Sequence, residues 1–215
     1  MVPKIITLVR HGQAEHNATR NRQLRDPSLT PLGETQCHEL QKSPFNPSTA
    51  LLGFKKQVES GAKVVLLAEL QEASELPCDT VSSRDVLEKE ELFQGLDFSG
   101  LPDERASKKV RWAQDPQSLS ERARIIRKWP KSRPEGHIVV VLHYWLLPWM
   151  TEDWAGYSNI PGTCHTGFRF CFFVDGDEVN ASIIETDGSK ERRGRGLEKL
   201  LGRTEVKQFG EVRRN

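Results

Sequence analysis

The chain has 215 residues, of which 36% are hydrophobic and 28% are charged, and its formal net charge is +1 at pH 7. A chain of this length and balance can bury a core of its own as one globular domain. The near-neutral charge gives no electrostatic reason to expect binding to nucleic acid or to an anionic membrane, and no apolar run approaches the ~20 residues of a membrane span.

The cysteines and the first residues of the chain bear on its location. Cysteines stand at four scattered positions, with no CxxC pair and no metal-ligand spacing with histidine: Cys37, Cys78, Cys164 and Cys171. This usage favours reduced thiols in a cytosolic protein. No signal-peptide pattern precedes the first predicted strand. We therefore predict a cytoplasmic protein that binds neither nucleic acid nor a membrane, and we leave a homodimer open.

The N-terminal half shows two strand patterns separated by helical ones. "IITLV" (5–9) predicts a buried strand, and "DPSLTPLGETQCHELQK" (26–42) predicts a helix that Thr30 caps. "PSTALLGFKKQVES" (47–60) predicts a second helix, and "KVVLLAEL" (63–70) predicts a second strand. Only "SPFNP" lies between the two helices, and it is typical of a turn, although an alternating chain normally places a strand there.

The C-terminal half continues this alternation. A helix is predicted near 85–93, and an amphipathic helix follows over 118–132. "HIVVVL" (137–142) predicts a third core strand, and the stretch 167–186 predicts an edge hairpin that turns at Asp175-Gly176. The whole pattern predicts an α/β fold, a three-layer α/β/α sandwich around a mostly parallel sheet, and it leaves open a sheet that is one strand short.

The charge is uneven along the chain. Residues 190–215 hold nine lysines and arginines against four glutamates. A solvated basic segment is the ordinary interpretation of such a run. We therefore expect one domain over 1–189, followed by a basic C-terminal tail or helix over 190–215.

Two of the predicted core strands end in histidine, one at His11 and the other at His143. Because ligands bind beyond the carboxyl ends of parallel strands, both imidazoles face one site if these strands are neighbours. Arg10 precedes the first histidine, and a guanidinium fork matches the oxygens of a phosphate. A neutral, oriented histidine is a competent nucleophile. From the residues alone this is an anion site, and a structural role for each histidine stays open.

The surrounding motifs extend this pattern to a known family. "LVRHGQAEHN" resembles the signature of the histidine phosphatase superfamily, in its phosphoglycerate-mutase-like branch, and "DPSLTPLGETQ" resembles the segment that follows it there. "LQEASELPCDT" is similar to the segment that carries the family's acidic residue, and "EGHIVVVLH" to its second-histidine strand. "TEDWAGY" resembles a stretch of fungal-type members. The resemblance spans roughly residues 3–185.

The resemblance implies a role for each matching residue. His11 would be the nucleophile that becomes phosphorylated, and Arg10, Asn17 and His143 would hold the phosphoryl oxygens. Glu72 would be the general acid that protonates the leaving oxygen and then activates water. The same resemblance implies the three-layer fold, a small phosphorylated substrate, and no need for a metal or another cofactor.

Three departures from the family pattern all concern the phosphate pocket. "KSPFNPSTALLGF" stands where the family carries a strand and S-P-L-x-R-x-x-x-T, so a second phosphate-binding arginine is missing. The second histidine is followed by Tyr144 and Trp145 in place of two glycines, and Tyr144 is therefore a candidate substrate contact that narrows the pocket floor. His165 and Gly167 replace a family Asn-x-Glu pattern.

Two functions follow from this combination. The first is a metal-independent phosphatase that acts on a small phosphomonoester or diphosphate through a phosphohistidine, with an activity that the missing arginine impairs. The alternative is a diverged member without efficient hydrolysis, which serves as a binding protein or as a non-phosphatase enzyme for a small metabolite. An arginine recruited from elsewhere, such as Arg20, Arg22, Arg25 or Arg84, would favour the first.

Overall fold

A sheet of four strands forms the centre of the fold. The computed structural model describes residues 4–40, 49–154 and 167–201. The strand order is β2-β1-β3-β4, so that β1 and β3 lie inside the sheet. The strands are β1 (Ile5–Arg10), β2 (His137–Leu142), β3 (Phe168–Phe173) and β4 (Ile183–Glu185).

The strand directions correct one prediction. β1 and β2 are parallel, with Ile6 opposite Ile138, whereas β3 runs antiparallel to β1 and β4 antiparallel to β3. The prediction of a mostly parallel sheet is therefore wrong for the described strands. Short connections can join only antiparallel strands, and the connection from β3 to β4 turns at Gly176 with φ +77°. The predicted pairing of these two strands is confirmed.

Eight α-helices and five short 3₁₀ helices surround the sheet in the described ranges. The α-helices are α1 (Glu15–Thr19), α2 (Pro31–Leu40), α3 (Thr49–Leu52), α4 (Lys55–Glu59), α5 (Arg84–Leu87), α6 (Pro116–Ser132), α7 (Leu147–Thr151) and α8 (Asp187–Leu201). The 3₁₀ helices are Ala68–Leu70, Pro77–Asp79, Glu91–Phe93, Asp103–Ser107 and Val110–Trp112.

The predicted helices agree with the structure where a capping residue marks their start. The hydroxyl of Thr30 accepts a hydrogen bond from Gly33 N at 3.0 Å, which confirms the predicted cap of α2. The predicted helix 118–132 is confirmed as α6, whose start Asp115 caps by accepting from Ser118 N at 3.0 Å. The helix predicted over 47–60 is instead divided into α3 and α4, and the one near 85–93 ends at Leu87.

Helices cover both faces of the sheet. On one face, Ile6 and Leu8 of β1 pack with Ala123 and Ile126 of α6 in the main hydrophobic core. On the other face lies α8, where the Arg192 guanidinium stacks over the rings of Phe168 and Phe170, 4.4 and 4.9 Å from their centroids. These contacts establish the predicted three-layer α/β/α arrangement.

The predicted second strand does not join the sheet. Residues 62–67 form no helix or strand, and a cleft of about 800 Å³ separates them from the outer edge of β2. Val64 and Leu66 line one side of this cleft, and Val139 and Val141 line the other. Paired strands lie about 4.8 Å apart, with no open space between them. The cleft between residues 62–67 and β2 therefore leaves no backbone ladder there. The strand prediction for 63–70 is therefore wrong.

Several of the remaining predictions concern residues outside the described ranges. α8 begins at Asp187 and crosses residue 190 as one helix, while 202–215 lie outside the described residues. The "SPFNP" stretch (43–47) and His165 also lie outside them. No helix in the described ranges is both long and apolar enough to cross a membrane.

Candidate active site

The two histidines meet where β1 and β2 end side by side. His11 N donates to the carbonyl of Leu142, the last residue of β2, at 3.2 Å. The rings of His11 and His143 lie with their centroids 4.9 Å apart and their planes inclined by 52°. The sequence prediction that the two strands are parallel neighbours is confirmed, and two imidazoles face the same point because of it.

The chemistry of His11 depends on which nitrogen carries the proton. Its Nδ1 lies 2.7 Å from the carbonyl oxygen of Gly12, so the neutral ring donates from Nδ1 and keeps its lone pair on Nε2. Gly12 itself sits tightly against α2, since a Cβ there would lie 2.9 Å from Gly33 O and 3.1 Å from Cys37 Sγ. The carbonyl of Gly12 thus fixes the tautomer of His11 in which Nδ1 carries the proton.

Arg10 and Tyr144 form a stacked pair at this strand end. Arg10 is the last residue of β1 and is 6% exposed. The Cζ atom of its guanidinium lies 4.8 Å from the centroid of the Tyr144 ring. A cation held over an aromatic face is oriented as well as stabilised. Tyr144 therefore positions the guanidinium, and both residues predicted from the sequence lie in the site.

Glu72 is a buried carboxyl beside the second histidine. Its Oε1 accepts from Ala73 N at 2.7 Å, and its Oε2 accepts from Trp145 N at 3.2 Å, two residues after His143. Burial raises the pKa of Glu72 to about 7, although both backbone hydrogen bonds act in the opposite direction. A carboxyl with this pKa can give a proton and take it back near neutral pH.

Two buried cations hold the segment that carries Glu72. Arg122 of α6 donates from Nη2 to Glu69 O at 3.1 Å and also to Gln71 O. Lys108 donates from Nζ to the carbonyl of Glu72 at 2.8 Å. The segment pairs with no strand among the described residues, so Arg122 of α6 and Lys108, which follows the 3₁₀ helix Asp103–Ser107, fix the position of the carboxyl.

Lys108 is a site residue that the sequence analysis missed. It is 4% exposed, and burial lowers its pKa to about 8. Burial likewise lowers the pKa of His143 to about 4, and the charges of Lys108 and Arg10 act in the same direction. His143 is therefore neutral at pH 7. No motif surrounds Lys108 in the sequence, so only its burial in the fold identifies it.

Asn17 lies beside the site with its amide already engaged. Its Oδ1 accepts from Ala14 N at 3.0 Å, and its Nδ2 lies 2.7 Å from His16 Nε2. The His16 ring in turn lies 6.2 Å from the His11 ring, and burial lowers the pKa of His16. α1 therefore places His16 beside His11.

Two further residues meet His16 from a distant part of the chain. Ligand atoms of His16, Cys78 and Asp79 all lie within 4.8 Å of one another, a spread that a metal ion can bridge. Each is also engaged by the protein, since His16 contacts Asn17, and Asp79 accepts hydrogen bonds from Ser74 and from Cys78 Sγ. Burial raises the pKa of the Cys78 thiol to about 11. The sequence could not reveal this cluster because 62 positions separate His16 from Cys78.

The arginines considered as replacements for the missing phosphate-binding arginine lie mostly outside the candidate active site. Arg84 pairs with Glu88 at 2.6 Å, and Arg20 and Arg25 are exposed. Arg22 is also exposed; its carbonyl accepts from Cys78 N at 3.2 Å, and its charge lowers the pKa of that thiol, against the larger effect of burial.

Solved structures similar to this chain are distant in sequence. A phosphoserine phosphatase mutant from Entamoeba histolytica in complex with phosphoserine is 18% identical, with a TM-score of 0.47 over 85% of this chain and 95% of that one. A phosphoglycerate mutase from Bacillus anthracis is 18% identical, with a TM-score of 0.49 over 86% and 92%. A mycobacterial glucosyl-3-phosphoglycerate phosphatase is 16% identical, with a TM-score of 0.46 over 78% and 92%.

A family model gives the sequence-level assignment. No curated protein matches this chain. The model of the histidine phosphatase superfamily (branch 1) matches residues 6–45, which contain Arg10, His11 and Asn17. The resemblance predicted from the RHG motif is confirmed over this stretch. The match covers 40 of the 215 residues, and over this stretch the chain is similar to branch 1 of that superfamily.

Proposed function

We propose that this protein is a metal-independent phosphatase that acts on small phosphomonoesters through a phosphohistidine. The observation that carries the proposal is the convergence of His11, whose Nδ1 donates to the Gly12 carbonyl, on His143 at 4.9 Å between ring centroids. Arg10 lies in the same place, and the carboxyl of Glu72 is bonded to the segment that follows His143. A nucleophile, an anion clamp and a proton donor are thus within one crevice.

The reaction has two steps. In the first, Nε2 of His11 attacks phosphorus, an N–P bond forms, and the bond from phosphorus to the leaving oxygen breaks while Glu72 gives that oxygen its proton. In the second, Glu72 takes a proton from water, the water oxygen attacks phosphorus, and the N–P bond breaks to release inorganic phosphate. Neutral His143 donates a hydrogen bond to the phosphoryl oxygens in both steps.

The charge of the site sets the expected rate. A phosphomonoester brings nearly two negative charges, whereas Arg10 supplies one permanent positive charge and His143, with its pKa near 4, supplies none at pH 7. Lys108 is protonated at pH 7 but is tied to the Glu72 carbonyl. A hydrogen bond to a charged group contributes about 1.5–3 kcal/mol, so the missing second arginine lowers turnover by ~10- to 100-fold. We expect weak inhibition by inorganic phosphate for the same reason.

The small positive charge of the site also supports the second candidate function. If phosphate binding is too weak for turnover, the crevice serves a diverged family member that binds a small metabolite without efficient hydrolysis. The two functions differ in one observable property, which is formation of a covalent phosphoenzyme.

Incubation with 4-nitrophenyl phosphate tests the proposal. This substrate has a good leaving group, so the first step needs little help from Glu72 and the phosphoenzyme accumulates in Glu72→Gln. We expect an acid-labile phosphoprotein in this variant and none in His11→Ala. His38→Ala, which changes an exposed histidine of α2, is the matched control and should label normally. Equal turnover by the wild type and His11→Ala would refute the mechanism, and the absence of any label would favour the binding protein.

A further inference from the structure

Trp145 combines two features that are unusual together. Its side chain is 56% exposed, although it lies directly beside the buried catalytic carboxyl. Its backbone N–H donates to Glu72 Oε2 at 3.2 Å. Covering the exposed part of an indole is favourable in proportion to its apolar area. Exposure of such a group next to a reaction centre is a reason to ask what covers it when substrate is bound.

A chain of ring contacts connects this indole to the phosphate clamp. The Arg10 guanidinium lies 4.8 Å from the Tyr144 ring centroid. The Tyr144 ring meets the Trp145 ring edge to face, with centroids 5.6 Å apart and an interplanar angle of 79°. The aromatic wall of the site, Tyr144 and Trp145, therefore begins at the guanidinium that holds phosphate and ends at an exposed indole.

The position of the proton donor says which part of the substrate meets this wall. In the proposed function, Glu72 protonates the oxygen that joins phosphorus to the leaving group. That carboxyl accepts from the backbone N–H of Trp145, and the Tyr144 ring connects the Arg10 guanidinium to the indole, so the two rings border the crevice in which the leaving group is protonated. A flat aromatic group can stack on an indole and an adjacent phenol ring, whereas a flexible polar group loses entropy without covering them.

We propose that the leaving group of the preferred substrate is a flat aromatic ring system that packs against the aromatic wall of Tyr144 and Trp145. The proposal rests on the phosphatase function proposed above, and it narrows the substrate class to aryl phosphomonoesters. Stacking of one additional ring contributes about a 10-fold gain in kcat/KM.

Phenyl phosphate and 2-naphthyl phosphate make a matched pair of substrates. Their leaving groups are of similar acidity, so a difference in kcat/KM reports contact with the second ring. We expect the wild type to prefer the naphthyl ester by about 10-fold and Trp145→Ala to lose most of this preference. The substitution keeps the backbone N–H that bonds Glu72. Trp145→Phe should restore part of the preference.

Trp154→Ala is the control for loss of an exposed indole. Trp154 is 52% exposed and meets Trp149 edge to face at 4.6 Å, so its removal deletes a comparable surface elsewhere. It should keep the wild-type preference. A wild type without preference, or a preference that survives in Trp145→Ala, would overturn the proposal.

Binding of phenylphosphonate and 2-naphthylphosphonate separates this proposal from the reaction itself. Neither compound can be hydrolysed, and calorimetry gives their dissociation constants directly. If the protein shows no turnover but binds the naphthyl compound about 10-fold more tightly in a Trp145-dependent way, the phosphatase function fails and the aromatic site stands. If turnover is measurable and both phosphonates bind alike, the aromatic site fails and the phosphatase function stands.

Discussion

Glu72 shows how the fold sets the protonation of a single residue. The carboxyl is 5% exposed and its pKa is raised to about 7, because burial penalises the charged form more than two backbone N–H donors favour it. In the unfolded chain the same group titrates near 4.5. Between these two values the folded protein binds more protons than the unfolded one, so stability falls as pH rises through this window.

Glu72→Gln should therefore remove this pH dependence of stability and slow the proposed hydrolysis. The amide carries no charge but can accept only one of the two backbone N–H bonds, which costs stability at every pH; relative to the wild type, its stability should rise by about 3 kcal/mol at most between pH 4.5 and pH values above 7. Urea unfolding at pH 5 and pH 8 measures it. Glu75→Gln changes an exposed carboxyl of the same segment and should show no such pH dependence. A larger gain at pH 5 than at pH 8 would contradict this assignment.

At the level of single residues, the sequence predicted those site residues that stand within a recognisable motif. His11 and His143 were identifiable because each ends a strand of β-branched residues, and parallel pairing then brings them together. Lys108 and Asp79 were not, because each stands at the end of a short 3₁₀ helix with no motif or spacing rule around it. Their positions depend on burial against Glu72 and His16, which no local pattern encodes.

Among the elements, α2 packs directly against the loop that follows His11. A Cβ added to Gly33 would overlap the carbonyl oxygen of Gln13, two residues after His11. Gly33→Ala should therefore move α2 away from this loop and lower stability by about 1–3 kcal/mol, with a larger loss of turnover. Gly188→Ala, also in the first turn of a helix but with nothing within 4 Å, should be neutral or stabilise by up to about 1 kcal/mol. Thermal unfolding of both variants measures the difference, and equal effects would show that the contact is unimportant.

Elements were predictable where local signals and packing agreed. α6 has an aspartate cap and an apolar side that meets β1, so pattern and structure coincide. Residues 63–70 have an equally strong strand composition, yet a strand also needs a neighbour at hydrogen-bonding distance. The cleft beside β2 removes that neighbour, which composition alone cannot reveal.

At the scale of the whole molecule, we expect local stability to be lower beside the cleft than at the centre of the sheet. β1 is paired on both sides, by β2 and β3, and lies in the main core, so its amides should exchange with solvent most slowly. Residues 62–67 form no ladder, and we expect their amides to exchange orders of magnitude faster, although Val64 and Leu66 face apolar side chains across the cleft. Hydrogen exchange followed by mass spectrometry resolves these segments. β2 should fall between them, because one of its edges pairs with β1 and the other borders the cleft. Protection of 62–67 equal to that of β1 would mean that a ladder closes this gap in solution, and the sheet would then extend beyond the four strands described.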